Sequence, residues 1–229
     1  IDSLWEIFDR SRDRQLEFNY VSDLNVINSN QLIEEIELAF KSWKKNIYTR
    51  QCSFEDFCEY ILPYRRKNGI IINSHRLEFN SRHAAFFLKK EGVDFRNETD
   101  SLLFNYKHIK HSQFYGSNIP IWSPHILEKL KYGLCEQRCW YNSTLLSSIG
   151  MAVTIDCVPA WGNRNSSHSW NALIVKGETY PFEPFWDNDR WKYKHIYNNE
   201  SFDHYWGRFR LPKVYRVTYS INLDGPILD

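Results

Sequence analysis

Cys135, His168 and Glu183 follow one another along the chain in an order that suits thiol chemistry. Cys135 lies in "KYGLCEQRCWYNSTLLSSIG", residues 131–150, where a helix is expected to begin. A thiol attacks only as thiolate, and a helix N-terminus or an adjacent imidazolium lowers its pKa. His168 opens the strand-like "HSWNALIV". Its ring can take the thiol proton and return it to a leaving group. Glu183, in "PFEPF", ends the next strand-like segment. A carboxylate there can bond the other ring nitrogen and fix tautomer and orientation, since antiparallel neighbours hold such groups side by side. Together these residues could attack an amide carbonyl through Cys135 and form a thioester. His168 would serve as base and then acid, Glu183 would orient it, and the Cys135 backbone N–H would supply part of an oxyanion hole.

The other reactive residues read differently. Cys139 stands one turn beyond Cys135 on the same helix face, with Leu146 and Ile149 continuing the stripe. A small thiol there lets the helix lie close to a sheet. A zinc set of Cys135, Cys139 and His168 lacks the second nearby Cys/His pair that such sites use, so no metal site is expected. His75, His83, His108, His111 and His125 read as surface or packing residues. Trp161 and Trp170 flank the expected site, either as core or as the apolar wall of a substrate cleft. Asn171 could face either way, and Asp187 is a second carboxylate within reach of the same region.

The elements that must position these residues can be read from periodicity and punctuation. "NSNQLIEEIELAFKSWKKN" places Leu32, Ile33, Ile36, Ala39, Phe40 and Trp43 on one helical face, with Asn30 or Ser29 as N-cap. "SFEDFCEYILPYR" pairs Ser53 with Asp56 at capping spacing, and Pro63 should stop that helix near Leu62. Residues 66–122 are polar, with one short helix expected around "SRHAAFFLKKEG". Ser123, Pro124 and Gly133 punctuate another short helix, and the cysteine helix should run from about Glu136 to Ile149, ended by Gly150. "AVTIDCVP", "HSWNALIV" and "ETYPFEP" read as strands, the last two joined by a hairpin at Lys176-Gly177, and "KVYRVTYSI" alternates like another. The order implies an α+β fold with a helix packed on an antiparallel sheet. A mainly helical region at 1–120 precedes a core at 121–229.

Charge excludes some classes. The chain has 29 Lys+Arg against 28 Asp+Glu, which argues against a general nucleic-acid or membrane-surface binder. No apolar run approaches the roughly 20 residues of a membrane span, and no signal peptide is recognisable. Five cysteines in 229 residues do not read as a disulfide scaffold. The 38 aromatic residues (9 Trp, 14 Tyr and 15 Phe) suit a thick core or a stacking surface for sugars or peptides.

Across roughly residues 120–220 the sequence resembles the transglutaminase-like superfamily, cysteine enzymes with a papain-like core. The family pattern is Gly-x-Cys opening a helix, a "GIP" turn, a "HAW" strand and an "xDP" strand. Here the matching segments are "GLC" at 133–135, "IGMAV" at 149–153, "HSW" at 168–170 and "FEP" at 182–184. Gly150 follows Cys135 by 15 residues, and Glu183 follows His168 by 15. Glu183 departs from the family's Asp, and "GMA" from its "GIP". The first half is similar to the helical leader of transglutaminase-like proteins from gut Bacteroidetes, mainly through "SFEDFCEYILPYR". The resemblance implies a thiol-dependent peptidase, amidase or transglutaminase-type acyltransferase without metal or organic cofactor. Its partner would be a peptide or protein amide, cell-wall or glycopeptide material included, in an extracytoplasmic setting. The alternative is a catalytically silent module of the same fold that binds peptide or glycan, motivated by the Glu-for-Asp exchange and the aromatic residues near the site.

Overall fold

A computed structural model of the chain describes residues 21–69, 75–83, 85–86, 94–113, 121, 123–160, 166–186 and 213–220. Among the described residues, a single 3-10 turn (Asp23–Asn25) is followed by four α-helices: α1 (Ser29–Lys45), α2 (Phe54–Tyr60), α3 (His75–His83) and α4 (Phe95–Phe104). The short strand β1 (Lys110–His111) follows, then α5 (Pro124–Leu130) and β2 (Tyr132–Gly133), which pairs in parallel with β1. Next come α6 (Cys135–Ser148), β3 (Val153–Val158), β4 (His168–Val175), β5 (Glu178–Phe182) and β6 (Tyr215–Arg216). The last four strands form one antiparallel sheet in the order β5-β4-β3-β6. The architecture is α+β, with helices packed against an antiparallel sheet.

Local chemistry accounts for most boundaries. Asn28, rather than Asn30 or Ser29, caps α1: its Oδ1 accepts from Gln31 N at 2.9 Å, and Gln31 Oε1 accepts from Asn28 N at 3.2 Å. Two backbone donors are thereby satisfied reciprocally, which neither later residue offers. The expected stripe of α1 is used only in its second half. Ala39 is buried and Phe40 and Trp43 are partly so, while Leu32, Ile33 and Ile36 remain exposed. Ser53 caps α2 as its spacing predicts, accepting from Asp56 N at 3.0 Å. Helix α3 begins at His75, ahead of the segment expected to be helical, most of which lies outside the described residues. Helix α5 ends at Lys131, whose φ of 62° takes the left-handed role expected nearer Gly133.

Helix α6 closes in a Schellman turn, with Met151 N donating to Leu146 O at 2.9 Å and Gly150 N to Ser147 O at 3.1 Å. Gly150 sits at φ 85°, and a Cβ there would lie 2.5 Å from the Ser42 carbonyl oxygen. Only glycine permits both that conformation and that approach of α1 to α6. Lys176 and Gly177, at φ 54° and 78°, make the two-residue turn expected between β4 and β5. Strand β6 is shorter than "KVYRVTYSI" suggests. It pairs through two residues, and Arg216 grips Asp156 of β3 through Nε and Nη2, at 2.8 and 2.9 Å.

Strands β3 and β4 are buried on both faces because both faces are covered. Val153, Ile155, Leu173 and Val175 pack with Cys139, Tyr141, Leu145 and Leu146 of α6. Ala152 and Ile174 pack with Ala39, Phe57 and Ile61 of the N-terminal helices. Adjacent residues Leu173 and Ile174 thus serve opposite faces, the period-2 rule of a strand.

Candidate functional site

Cys135 is the first residue of α6, delivered there by the turn at Gly133 and Leu134. Gln137 Oε1 accepts from Leu134 N at 2.7 Å, tying the start of the helix to its own first turn. A Cβ at Gly133 would stand 2.7 Å from Leu127 Cδ1, so α5 and the start of α6 touch at this point. The Cys135 sulfur contacts the His168 ring and the backbone N–H groups of Ser169 and Glu136. His168 heads β4, and its Nε2 lies 3.3 Å from Glu183 Oε2, with side-chain exposures of 22% and 14%. Glu183 follows the last residue of β5, where the pairing of Asn171 with Phe182 sets it diagonally across from His168.

Burial disfavours charge on both Cys135 and His168, but their mutual contact outweighs it. Desolvation alone would raise the Cys135 thiol. The bond to His168 and the backbone donors bring it below its ordinary value instead. Desolvation alone would lower His168. Contact with Cys135 and Glu183 raises it to about 9. The pair is therefore shifted toward thiolate and imidazolium, and Glu183 bears on the same ring.

Beneath this group a buried amide lattice joins α6 to β4. Asn142 Nδ2 donates to Asn171 Oδ1 at 3.0 Å and to Pro184 O at 2.9 Å, while Asn171 Nδ2 donates to Cys139 O at 2.9 Å. Arg138 Nε donates to Pro184 O at 3.2 Å. The residue after Glu183 is thus pinned by two donors on α6, and Asn171 faces inward. Sequence reasoning did not single out Asn142 or Arg138. Polar residues inside an otherwise apolar stripe were the signal that could have done so. Cys139 is fully buried, and burial pushes its thiol well up, as suits packing. Trp170 is fully buried against Val158, its ring centroid 6.0 Å from that of His168. It supports the imidazole from below and offers no surface of its own to a ligand. Trp161 and Asp187 lie outside the described residues.

A second group stands apart from the sheet. His75 and Glu78 project from α3, and His125 from the first turn of α5, with ligand-type atoms all within 4.8 Å of one another. His125 Nε2 is 2.9 Å from Glu78 Oε2, and the two imidazole rings meet edge-on with centroids 5.2 Å apart. His75 is 7% exposed. His75 and His125 therefore have matching partners, contrary to their expected role as unrelated surface or packing residues.

The same finding corrects the functional expectation. Among the described residues, the donor set that converges on one point is His75, Glu78 and His125, and it contains no cysteine. Cys135 and Glu183 each contact His168, outside that set. The expected thiol-dependent amide hydrolase or acyltransferase, with its thiol nucleophile, catalytic triad and thioester, is accordingly set aside.

No protein-family model matches the chain, and no curated protein matches it. Among solved structures, the chain is similar to the crystal structure of a provisionally assigned cysteine protease from Cytophaga hutchinsonii. Sequence identity is 12% and the TM-score 0.44, over 63% of this chain and 46% of that one. The match thus spans under half the length of that protein.

Proposed function

We propose that this chain is a catalytically silent module of papain-like, transglutaminase-like core type that binds a peptide or a glycan. The observation that carries the reading is that the convergent donor set lacks a cysteine, while a polar group stands half-open on the sheet. Cys135, His168 and Glu183 set a thiol of lowered pKa, an imidazole of raised pKa and a carboxylate side by side. Such a set can bind the amides of a peptide or the hydroxyls of a sugar without turnover. Cys135, His168 and Glu183 are the proposed ligand contacts, with Trp161 as the candidate stacking wall. A helix start facing two antiparallel strands supports the papain-like layout, and the sequence resemblance supports an extracytoplasmic setting. Among the described residues, no helix is long and apolar enough to cross a membrane.

Peptide and glycan arrays probed with the chain test this, followed by titration of the best hit and intact-mass analysis of the mixture. Cys135→Ser should keep binding within about threefold. His168→Ala should weaken it at least tenfold, about 1.4 kcal/mol or more. No acyl adduct should form on Cys135. An adduct that converts to released product would overturn the reading, as would absence of binding in both libraries.

A further inference from the structure

We propose that His75, Glu78 and His125 form a binding site for a divalent transition-metal ion of the zinc class. Two imidazoles and one carboxylate are the donor set that zinc takes when three ligands come from protein and a fourth position is left to water. Calcium and magnesium prefer oxygen ligands throughout, so the two nitrogens argue against them. In a tetrahedral site with bonds of about 2.0–2.1 Å, neighbouring donors stand roughly 3.4 Å apart. Glu78 and His125 are already at 2.9 Å, and all three donor atoms fall within 4.8 Å. Closing the set takes donor-atom shifts on the order of 1 Å.

The placement is built by two elements. His75 and Glu78 are three residues apart on α3, which puts them on one face. His125 reaches them from α5. An ordinary ion pair between helices explains Glu78 and His125 but leaves unexplained the second imidazole set edge-on beside them. The surroundings also fit. Arg82 bonds Glu78 Oε1, one turn along α3, leaving Oε2 aimed at His125. Arg82 also reaches Glu128 at 3.3 Å, and Glu128 accepts from the Tyr141 hydroxyl at 2.7 Å. This outer layer fixes the liganding carboxylate, as partners behind metal ligands do. Glu78, Glu128 and Arg82 together carry one net negative charge, which favours a cation. Arg76 is turned away, committed to Glu35, to Ser147 O at the end of α6 and to Ile61 O just after α2.

A metal here would tie α3 to α5. Helix α5 leads through β2 into Cys135, while α3 carries the arginine at the far end of α6, so one ion would brace both ends of that helix. The test uses the whole chain, stripped with chelator and titrated with Co2+ and then Zn2+. Expected are one Co2+ per chain with a visible d–d band, displacement by Zn2+, and a melting temperature raised by about 5 °C in excess Zn2+. His125→Ala and the near-isosteric Glu78→Gln should each weaken Co2+ binding at least tenfold while the metal-free fold persists. Cys135→Ser should bind as the parent does. Absence of saturable binding overturns the site. So does binding that survives both His125→Ala and Glu78→Gln, or that is lost in Cys135→Ser.

Discussion

At His168 two opposing effects meet. Burial disfavours the imidazolium, while contact with Cys135 and Glu183 favours it, and the balance raises the ring from 6.5 to about 9. A histidine raised on folding adds stability that is fully present below its unfolded pKa and is lost as pH rises through the folded one. For this ring the window runs from about pH 6.5 to about 9. The Cys135 thiol is displaced downward, so the two groups titrate as a coupled pair, and a signal from the imidazole itself is needed to follow His168. Ring C–H resonances in an NMR titration supply it. The parent should show a His168 midpoint near 9, and Glu183→Gln should bring it back toward 6.5. The loss of stability across that window should shrink in the same variant. A midpoint at the ordinary value in both proteins would refute the ion-pair geometry.

Helix α6 is held by its ends, and its C-terminal end is the more demanding. Gly150 combines a left-handed φ with a Cβ position 2.5 Å from the Ser42 carbonyl oxygen, a backbone atom of another helix. Gly177 has a similar φ of 78° but open space around it. Gly177→Ala should therefore cost about 1–2 kcal/mol, the conformational penalty alone. Gly150→Ala should cost roughly 3 kcal/mol or more, because α1 must also move off α6. Urea unfolding of the two variants measures the difference, and equal losses would show that the helix contact is slack. These elements were largely legible. Ser53 and Gly150 punctuate helices by their own chemistry, and Lys176-Gly177 announces a hairpin. Helix α3 was not legible, because its buried positions are His75, Arg76 and Phe79. Two of those three are polar, satisfied by groups distant in sequence, so no apolar period marks the helix. That Cys135 and Glu183 both lie against His168 follows from element order. The grouping of His75, Glu78 and His125 does not, since it depends on how α3 and α5 dock.

Across the whole molecule, the N-terminal helices terminate the helix that carries Cys135. The last carbonyls of α6 and its turn are each taken by a side chain from the first half. Arg76 Nη1 donates to Ser147 O at 3.2 Å, and Ser42 Oγ and Asn80 Nδ2 both donate to Ser148 O at 3.0 Å. Asn46 Nδ2 donates to Ile149 O at 3.3 Å, and the Thr49 hydroxyl donates to Gly150 O. A cation at a helix C-terminus also complements the macrodipole. Arg76 is the hub: its Nη2 bonds the carbonyls of Ile61, Leu62 and Pro63, and its Nε bonds Glu35 at 2.8 Å. It is 4% exposed, and burial draws its pKa down to about 10, which leaves it charged at neutral pH. Replacing it with Met fills the space but leaves Glu35 without its buried cation and takes one donor from each of four carbonyls, of which Ser147 O keeps Gly150 N and Ile61 O keeps Arg66. Breaking a buried pair from one side costs about 3–5 kcal/mol, a large share of the stability of an ordinary domain. Because the lost contacts join the first half to α6, the variant should still unfold as one unit at lower denaturant. Trp43 fluorescence, isolated by replacing the other tryptophans in turn, and the His168 ring signal should move together. If the two probes separate in Arg76→Met, the N-terminal helices and the sheet fold as independent units, and the capping of α6 contributes little to either.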